Sequence, residues 1–113
     1  FLERDRAAIA SLRRNLADLD EEERASVLSA DATQPPPAAP GAAVAIAFLD
    51  PPYRSGLAGP ALAALAARGW LAPGALLAVE TAAREAFTPP AGFEIVDERR
   101  YGDTRIMFLR WSP

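Results

Sequence analysis

Seven consecutive residues without a polar side chain, Ala43-Val44-Ala45-Ile46-Ala47-Phe48-Leu49, run directly into Asp50-Pro51-Pro52-Tyr53. An apolar run of this kind suits a strand covered on both faces, as in the parallel sheet of an α/β protein. Asp50 then stands at the carboxyl end of that strand, the edge at which open α/β sheets hold their ligands. Pro51 and Pro52 fix φ and remove two backbone donors, so the chain after Asp50 is stiff and its carbonyls are free to accept. Tyr53 adds a flat ring. Carboxylate, carbonyl and ring together form a clamp for a planar group that bears an amine, an exocyclic base amine being the obvious one. Such an amine is a weak nucleophile because its lone pair is delocalised into the ring. Acceptors on its N–H bonds turn that lone pair toward an electrophile, through orientation and preorganised electrostatics. The competing reading makes Asp50 a turn cap and Tyr53 a gap filler; a buried strand in front of them favours the clamp.

The rest of the chain limits which chemistry is open to that corner. There is no Cys and no His, which excludes thiol nucleophiles, disulfides, Cys/His zinc sites and His-based triads. Carboxylates, Tyr, Arg and backbone remain. No apolar run reaches the ~18 residues of a membrane helix, no signal peptide is visible, and a cytoplasmic monomer without metal is expected. Residues 1–50 carry nine acids against five Arg and residues 51–113 six against seven, which sums to the 15 acids and 12 basic residues of the whole. The acidic half suits a small cationic ligand better than a phosphate backbone. All basic residues are Arg and Ala is abundant, a mark of base composition rather than of function. At 113 residues the chain is one domain at most. Because Phe1-Leu2-Glu3 reads as the end of a strand already under way, the expectation is the C-terminal portion of a single larger domain.

Read in order, Asp5 is a helix N-cap, and Ile9, Leu12, Leu16 and Leu19 repeat at helical spacing, which predicts a helix over 5–19. Glu3, just before it, is either a ribose-binding acid at a strand end or a solvated turn acid. Residues 25–30 read as a short strand ending in Asp31, which either accepts from an adenine amino group or makes a turn. Gln34 to Gly41, with its prolines, is an exposed loop. After the central strand, Arg54 to Gly59 form a flexible loop, in which Arg54 either reaches a phosphate or is solvated. Pro60, Leu62, Leu65 and Gly69 define a helix over about 59–68. Ala75 to Val79 make a second buried strand ending in Glu80, a weaker site candidate than Asp50. Residues 82–87 suit one helical turn. Strands over 93–101 and 104–111 join through Gly102-Asp103, a hairpin pair.

This order, with acids after successive strands and Asp50-Pro51-Pro52-Tyr53 after the middle one, resembles the class I S-adenosylmethionine-dependent methyltransferases that modify exocyclic amines. Phe1-Leu2-Glu3-Arg4-Asp5, Asn15-Leu16, Phe48 to Tyr53, Gly69-Trp70-Leu71, Val79-Glu80 and Tyr101-Gly102-Asp103-Thr104 narrow the resemblance to the RsmD-type 16S rRNA guanine-N2 methyltransferases. It covers nearly the whole chain. The resemblance implies a Rossmann-like sheet, mostly parallel with a C-terminal antiparallel hairpin, and S-adenosylmethionine as cofactor. The implied partner is 16S rRNA of the small ribosomal subunit. Residue by residue, it implies Glu3 at the cofactor ribose, with Asp31 and the adjacent Ala32 at the adenine. Asp50 and the Pro51 carbonyl would hold the guanine amine, with Pro52 in the same catalytic turn and Asp50 also facing the cofactor. Tyr53 would stack on the base and Arg54 would lie on the substrate side. The base must leave its stack to reach them. The Pro-rich loop departs from the family, which usually has a helix there.

A larger departure is the family's leading basic segment, first strand and glycine-rich loop, none of which is present. In the family that strand lies between those ending at Glu3 and Leu49, so two exposed edges and poor cofactor binding by these residues alone are expected. Three rivals remain: the same enzyme class acting on DNA adenine or a protein glutamine, an NAD-binding domain, and a non-catalytic remnant that binds a partner.

Overall fold

Asp5 does cap the first helix: its Oδ2 accepts the Ala8 backbone N–H at 2.8 Å, and α1 runs Arg6–Asp18 behind it. The computed structural model describes residues 1–113. Strand β1 (Leu2–Glu3) precedes α1, and β2 (Leu28–Ser29) pairs with it in parallel, Leu2 opposite Leu28 and Glu3 opposite Ser29. The strand expected over 25–30 is thus only two residues long, matching its one partner, the equally short β1.

A second sheet holds β3 (Val44–Leu49), β4 (Leu71–Ala82), β5 (Phe93–Tyr101) and β6 (Thr104–Trp111) in the order β3-β4-β6-β5. β3 and β4 are parallel, joined through α2 (Ala58–Ala67), while β6 runs antiparallel to both β4 and β5. The hairpin turns at Gly102, φ 60°, with Tyr101 opposite Thr104, where the sequence puts it. Gly69, φ 81°, ends α2: Trp70 N–H reaches Leu65 C=O at 3.0 Å and Gly69 N–H reaches Ala66 C=O, the paired closure that a left-handed residue after a helix allows.

The core lies between α2 and one face of this sheet. Leu62, Leu77, Val79, Met107 and Leu109 are fully buried there, with Ala58, Leu65, Leu71 and Phe93 around them. Period-two alternation along β4, with Ala75, Leu77, Val79 and Thr81 inward, aims every second residue at α2. At ~25 cal/mol per Å² of apolar surface, each fully buried Leu contributes about 2 kcal/mol.

Three expectations are corrected. β3 is not covered on both faces: Val44, Ile46 and Phe48 point away from α2, with Ile46 60% and Phe48 83% exposed. No element of these 113 residues packs on that side, and β3 is an edge strand of its sheet. β4 starts at Leu71, earlier than the apolar run suggests. It absorbs Pro73 and Gly74, φ 80°, through a register shift against β3: β3 pairs with Leu71 and next with Leu76, and β6 pairs only from Leu76 onward, so neither residue has a ladder partner to lose. Residues 82–87 make no helical turn: Ala82 ends β4, Ala83 and Arg84 form a tight turn with Glu85 N–H donating to Ala82 C=O at 3.1 Å, and Arg105 Nη2 donates to Glu85 C=O at 2.6 Å.

The Pro-rich loop has a structural role. Trp70 Nε1 donates to Pro36 C=O at 2.7 Å, Ala38 N–H to Arg68 C=O at 2.9 Å, and Pro35 is buried. It fastens the α2–β4 junction to the entry of β3.

Candidate active site at the carboxyl ends of the strands

β1 and β3 are not paired with each other. Between the two sheets lies a cavity of about 950 Å³, lined on one side by Leu2, Glu3, Asp31 and Ala32 and on the other by Phe48, Leu49 and Asp50. The last residue of β1 and the loops after β2 and β3 therefore deliver three carboxylates to one space. Parallel strands put their carboxyl ends at one edge, so an acid following each strand arrives at the same rim. Pro51 and Pro52 also line the cavity, whereas Tyr53 and Arg54 lie outside its lining.

Glu3 stands at the end of β1, where its Oε1 accepts the Asp5 N–H at 3.4 Å, a weak bond that leaves the carboxylate capable of accepting more. Asp31 is more committed. Its Oδ1 accepts Thr33 Oγ1 at 2.7 Å and Thr33 N–H at 2.8 Å, and Arg4 Nη1 lies 3.4 Å from Oδ2. These hydrogen bonds from Thr33, first the hydroxyl and then the backbone, hold the Asp31 carboxyl below the usual carboxylate range, with Arg4 adding to them. The turn role and the cavity-facing role of Asp31 coexist.

Asp50 is solvent-exposed at the rim, open to a ligand, as the clamp requires. Its neighbour across the sheet is Glu80, the weaker candidate by sequence. Leu49 pairs with Val79, so one step further along two parallel strands Asp50 lies beside Glu80. The hydrogen bond that the two side chains can share, then the charge of Asp50, and then partial burial raise the Glu80 carboxyl above the usual glutamate range. The signal was present in the sequence as two apolar runs each ending in one acid. Only the parallel register, with its hydrogen bonds, makes them a pair.

Tyr53 is braced. Its hydroxyl and Thr104 Oγ1 are 2.5 Å apart, and its ring is 46% exposed. Thr104 lies opposite Ala82 on β4, two residues beyond Glu80, so the Pro-Pro-Tyr turn reaches across the strand ends beside the carboxylate pair. Arg105 steadies the same end of β4 through Thr81 Oγ1 at 3.3 Å. Arg54 is exposed with a left-handed backbone, φ 59°. The structure thus brings Glu3, Asp31, Ala32, Asp50, Pro51 and Pro52 to one cavity and sets Tyr53 beside it; Arg54 points to no partner. No group of three or more acids has metal-binding geometry, and no helix is long and apolar enough to cross a membrane.

Known proteins are similar to this chain in sequence and in fold. The ribosomal RNA small subunit methyltransferase D of Haemophilus influenzae is 34% identical over 106 residues, which are 90% of this chain and 54% of that protein. The chain therefore spans about half the length of that relative. A crystal structure of a proposed methylase from H. influenzae superposes with a TM-score of 0.80 at 28% identity, covering 100% of this chain and 71% of the other. A proposed methyltransferase from Escherichia coli gives a TM-score of 0.79 at 30% identity, covering 98% and 60%. The fold is the Rossmann-like α/β fold of these methyltransferases. The family described as conserved hypothetical protein 95 matches residues 1–110, and the chain belongs to that family and is of the RsmD type.

Proposed function

We propose that these residues are the C-terminal portion of a methyltransferase domain that uses S-adenosylmethionine to methylate the exocyclic N2 amine of a guanine in small-subunit rRNA. One observation carries the reading: Asp50, at the head of Asp-Pro-Pro-Tyr, is exposed at the rim of a cavity that also presents Glu3 and Asp31. The name of the H. influenzae relative supports the RNA substrate.

The cavity suits the cofactor. Acids on both walls match a sulfonium cation and a ribose diol, and Phe1, Leu2, Phe48 and Leu49 offer apolar surface to a nucleoside. Glu3 would take the ribose hydroxyls, and Asp31 with Ala32 the adenine edge. When bound, S-adenosylmethionine supplies an electrophilic methyl group. The protein's own part is orientation: Asp50 and the Pro51 carbonyl accept the two N–H bonds of the amine, and Tyr53 holds the base plane by stacking. Asp50 then takes the proton that the nitrogen sheds. Holding the amine in line is worth several orders of magnitude in rate.

The test is tritiated methyl transfer by the complete protein to unmodified small-subunit RNA, with DNA and protein acceptors alongside. Label in RNA is expected, and Asp50→Ala should lower it by about a hundredfold or more. Label only in DNA or protein would move the substrate, and an unaffected Asp50→Ala variant would remove the catalytic assignment.

A further inference from the structure

We propose that Glu80 selects guanine: beside Asp50, it accepts the ring N1–H while Asp50 accepts a hydrogen of the neighbouring N2 amine. The inference rests on the guanine-amine reading above and assigns a specificity role to a residue outside the Asp-Pro-Pro-Tyr turn.

The geometry comes from register. β3 and β4 are parallel with Phe48 opposite Ala78 and Leu49 opposite Val79, so Asp50 and Glu80 leave the same face of the sheet, the face opposite α2. Glu80 in turn lies opposite Ile106, and Ala82 opposite Thr104. Across that face the order is Asp50, Glu80, then β6, and the Tyr53 hydroxyl reaches Thr104 on β6. A base stacked on Tyr53 with its amine at Asp50 lies on the side of the sheet that Glu80 occupies. Glu80 is partly buried and has no cationic partner. It is therefore an acceptor beside the amine site that makes no ion pair within the protein.

The chemistry of the bases decides what such a pair admits. Guanine presents an exocyclic amine next to a ring N–H, two donors in a row. Adenine presents its amine next to a bare ring nitrogen, and so does cytosine. Two adjacent carboxylates repel each other, and a donor edge laid across them relieves that repulsion. A lone-pair nitrogen at the second position adds to it and leaves Glu80 without a donor. A site built on hydrogen bonds rejects the analogue that leaves a polar group unpaired far better than an apolar pocket rejects a difference in size. Asp50 alone accepts any exocyclic amine; the second acid makes the site read the atom beside it.

2-Aminopurine separates the two contacts, because it keeps the N2 amine but has a bare N1. The experiment uses the complete protein and small ribosomal subunits reconstituted with RNA carrying guanine or 2-aminopurine at the modified position. Wild type should prefer guanine by about a hundredfold in kcat/KM. Glu80→Gln, whose amide can donate to a bare N1, should shrink that preference by about tenfold or more. Glu80→Asp should keep it. Equal losses on both substrates in Glu80→Gln would reduce Glu80 to a structural role and overturn the inference. Wild-type protein that uses 2-aminopurine as well as guanine would overturn it without any variant. Wild-type protein that transfers no methyl to guanine would instead bring down the reading of the site, a failure distinct from the other two.

Discussion

Tyr53 is asked to do two things, and the structure lets them be separated. Its hydroxyl is 2.5 Å from Thr104 Oγ1, across 51 positions of sequence, and its half-exposed ring offers a stacking face. Tyr53→Phe removes the first and keeps the second. An exposed neutral hydrogen bond contributes about 1 kcal/mol, so losing it should reduce the population of the aligned turn about fivefold, and kcat/KM with it. Thr104→Val should cost the same, and the double variant no more than either single one, since each removes the same bond. Tyr53→Leu also removes the ring, worth about 2 kcal/mol for a stacked base. Its total of about 3 kcal/mol corresponds to about a hundredfold. The assay is methyl transfer by the complete protein, with thermal melts beside it. Losses from Tyr53→Phe and Thr104→Val that multiply in the double variant would refute the brace, and a Tyr53→Leu variant no worse than Tyr53→Phe would refute the stacking.

Other consequences are simpler to state. Asp50→Asn should bring the Glu80 titration, followed by carboxyl-carbon NMR, back down toward the ordinary glutamate range, and an unmoved midpoint would separate the two acids. Because Glu80 is raised when folded, the folded form holds its proton longer than the unfolded one. Stability therefore falls as pH rises from the ordinary glutamate value through the raised one, and Asp50→Asn should flatten that fall. Leu77, fully buried at the centre of the sheet, should cost about 2 to 5 kcal/mol as Leu77→Ala; denaturant unfolding reads it, and a loss under about 1 kcal/mol would mean that the site collapses to fill the space. Residues 1–113 by themselves should bind S-adenosylmethionine more weakly than micromolar, because the cavity has unpaired strand edges on both sides. Calorimetry showing micromolar binding would contradict this.

Much of the architecture was legible where the signal is local. The Asp5 cap, the apolar spacing of α1, Gly69 after α2 and the Gly102-Asp103 turn each specify a backbone conformation within a few residues, and each element formed where they put it. Signals that depend on distant partners read less well. Pro73 and Gly74 look like a break, yet β4 spans them, because pairing with β3 at Leu71 before them and with β3 and β6 from Leu76 after them holds the strand on both sides. The 82–87 segment has helix formers but is claimed by Arg105. Phe48 belongs to the most apolar run of the chain and is its most exposed large hydrophobic side chain, because coverage of a face depends on what packs there, which periodicity cannot encode.

The amino-acid order alone determined that an acid and two prolines end an apolar strand, since φ restriction, missing donors and strand alternation are properties of neighbouring residues. It also determined, by the absence of Cys and His, which chemistries were closed. Tertiary structure decided what Asp50 stands beside. That Glu80 flanks it, that Thr104 holds Tyr53, and that Glu3 and Asp31 face it across a cavity all follow from strand register and sheet order, which are set by contacts between residues far apart along the chain.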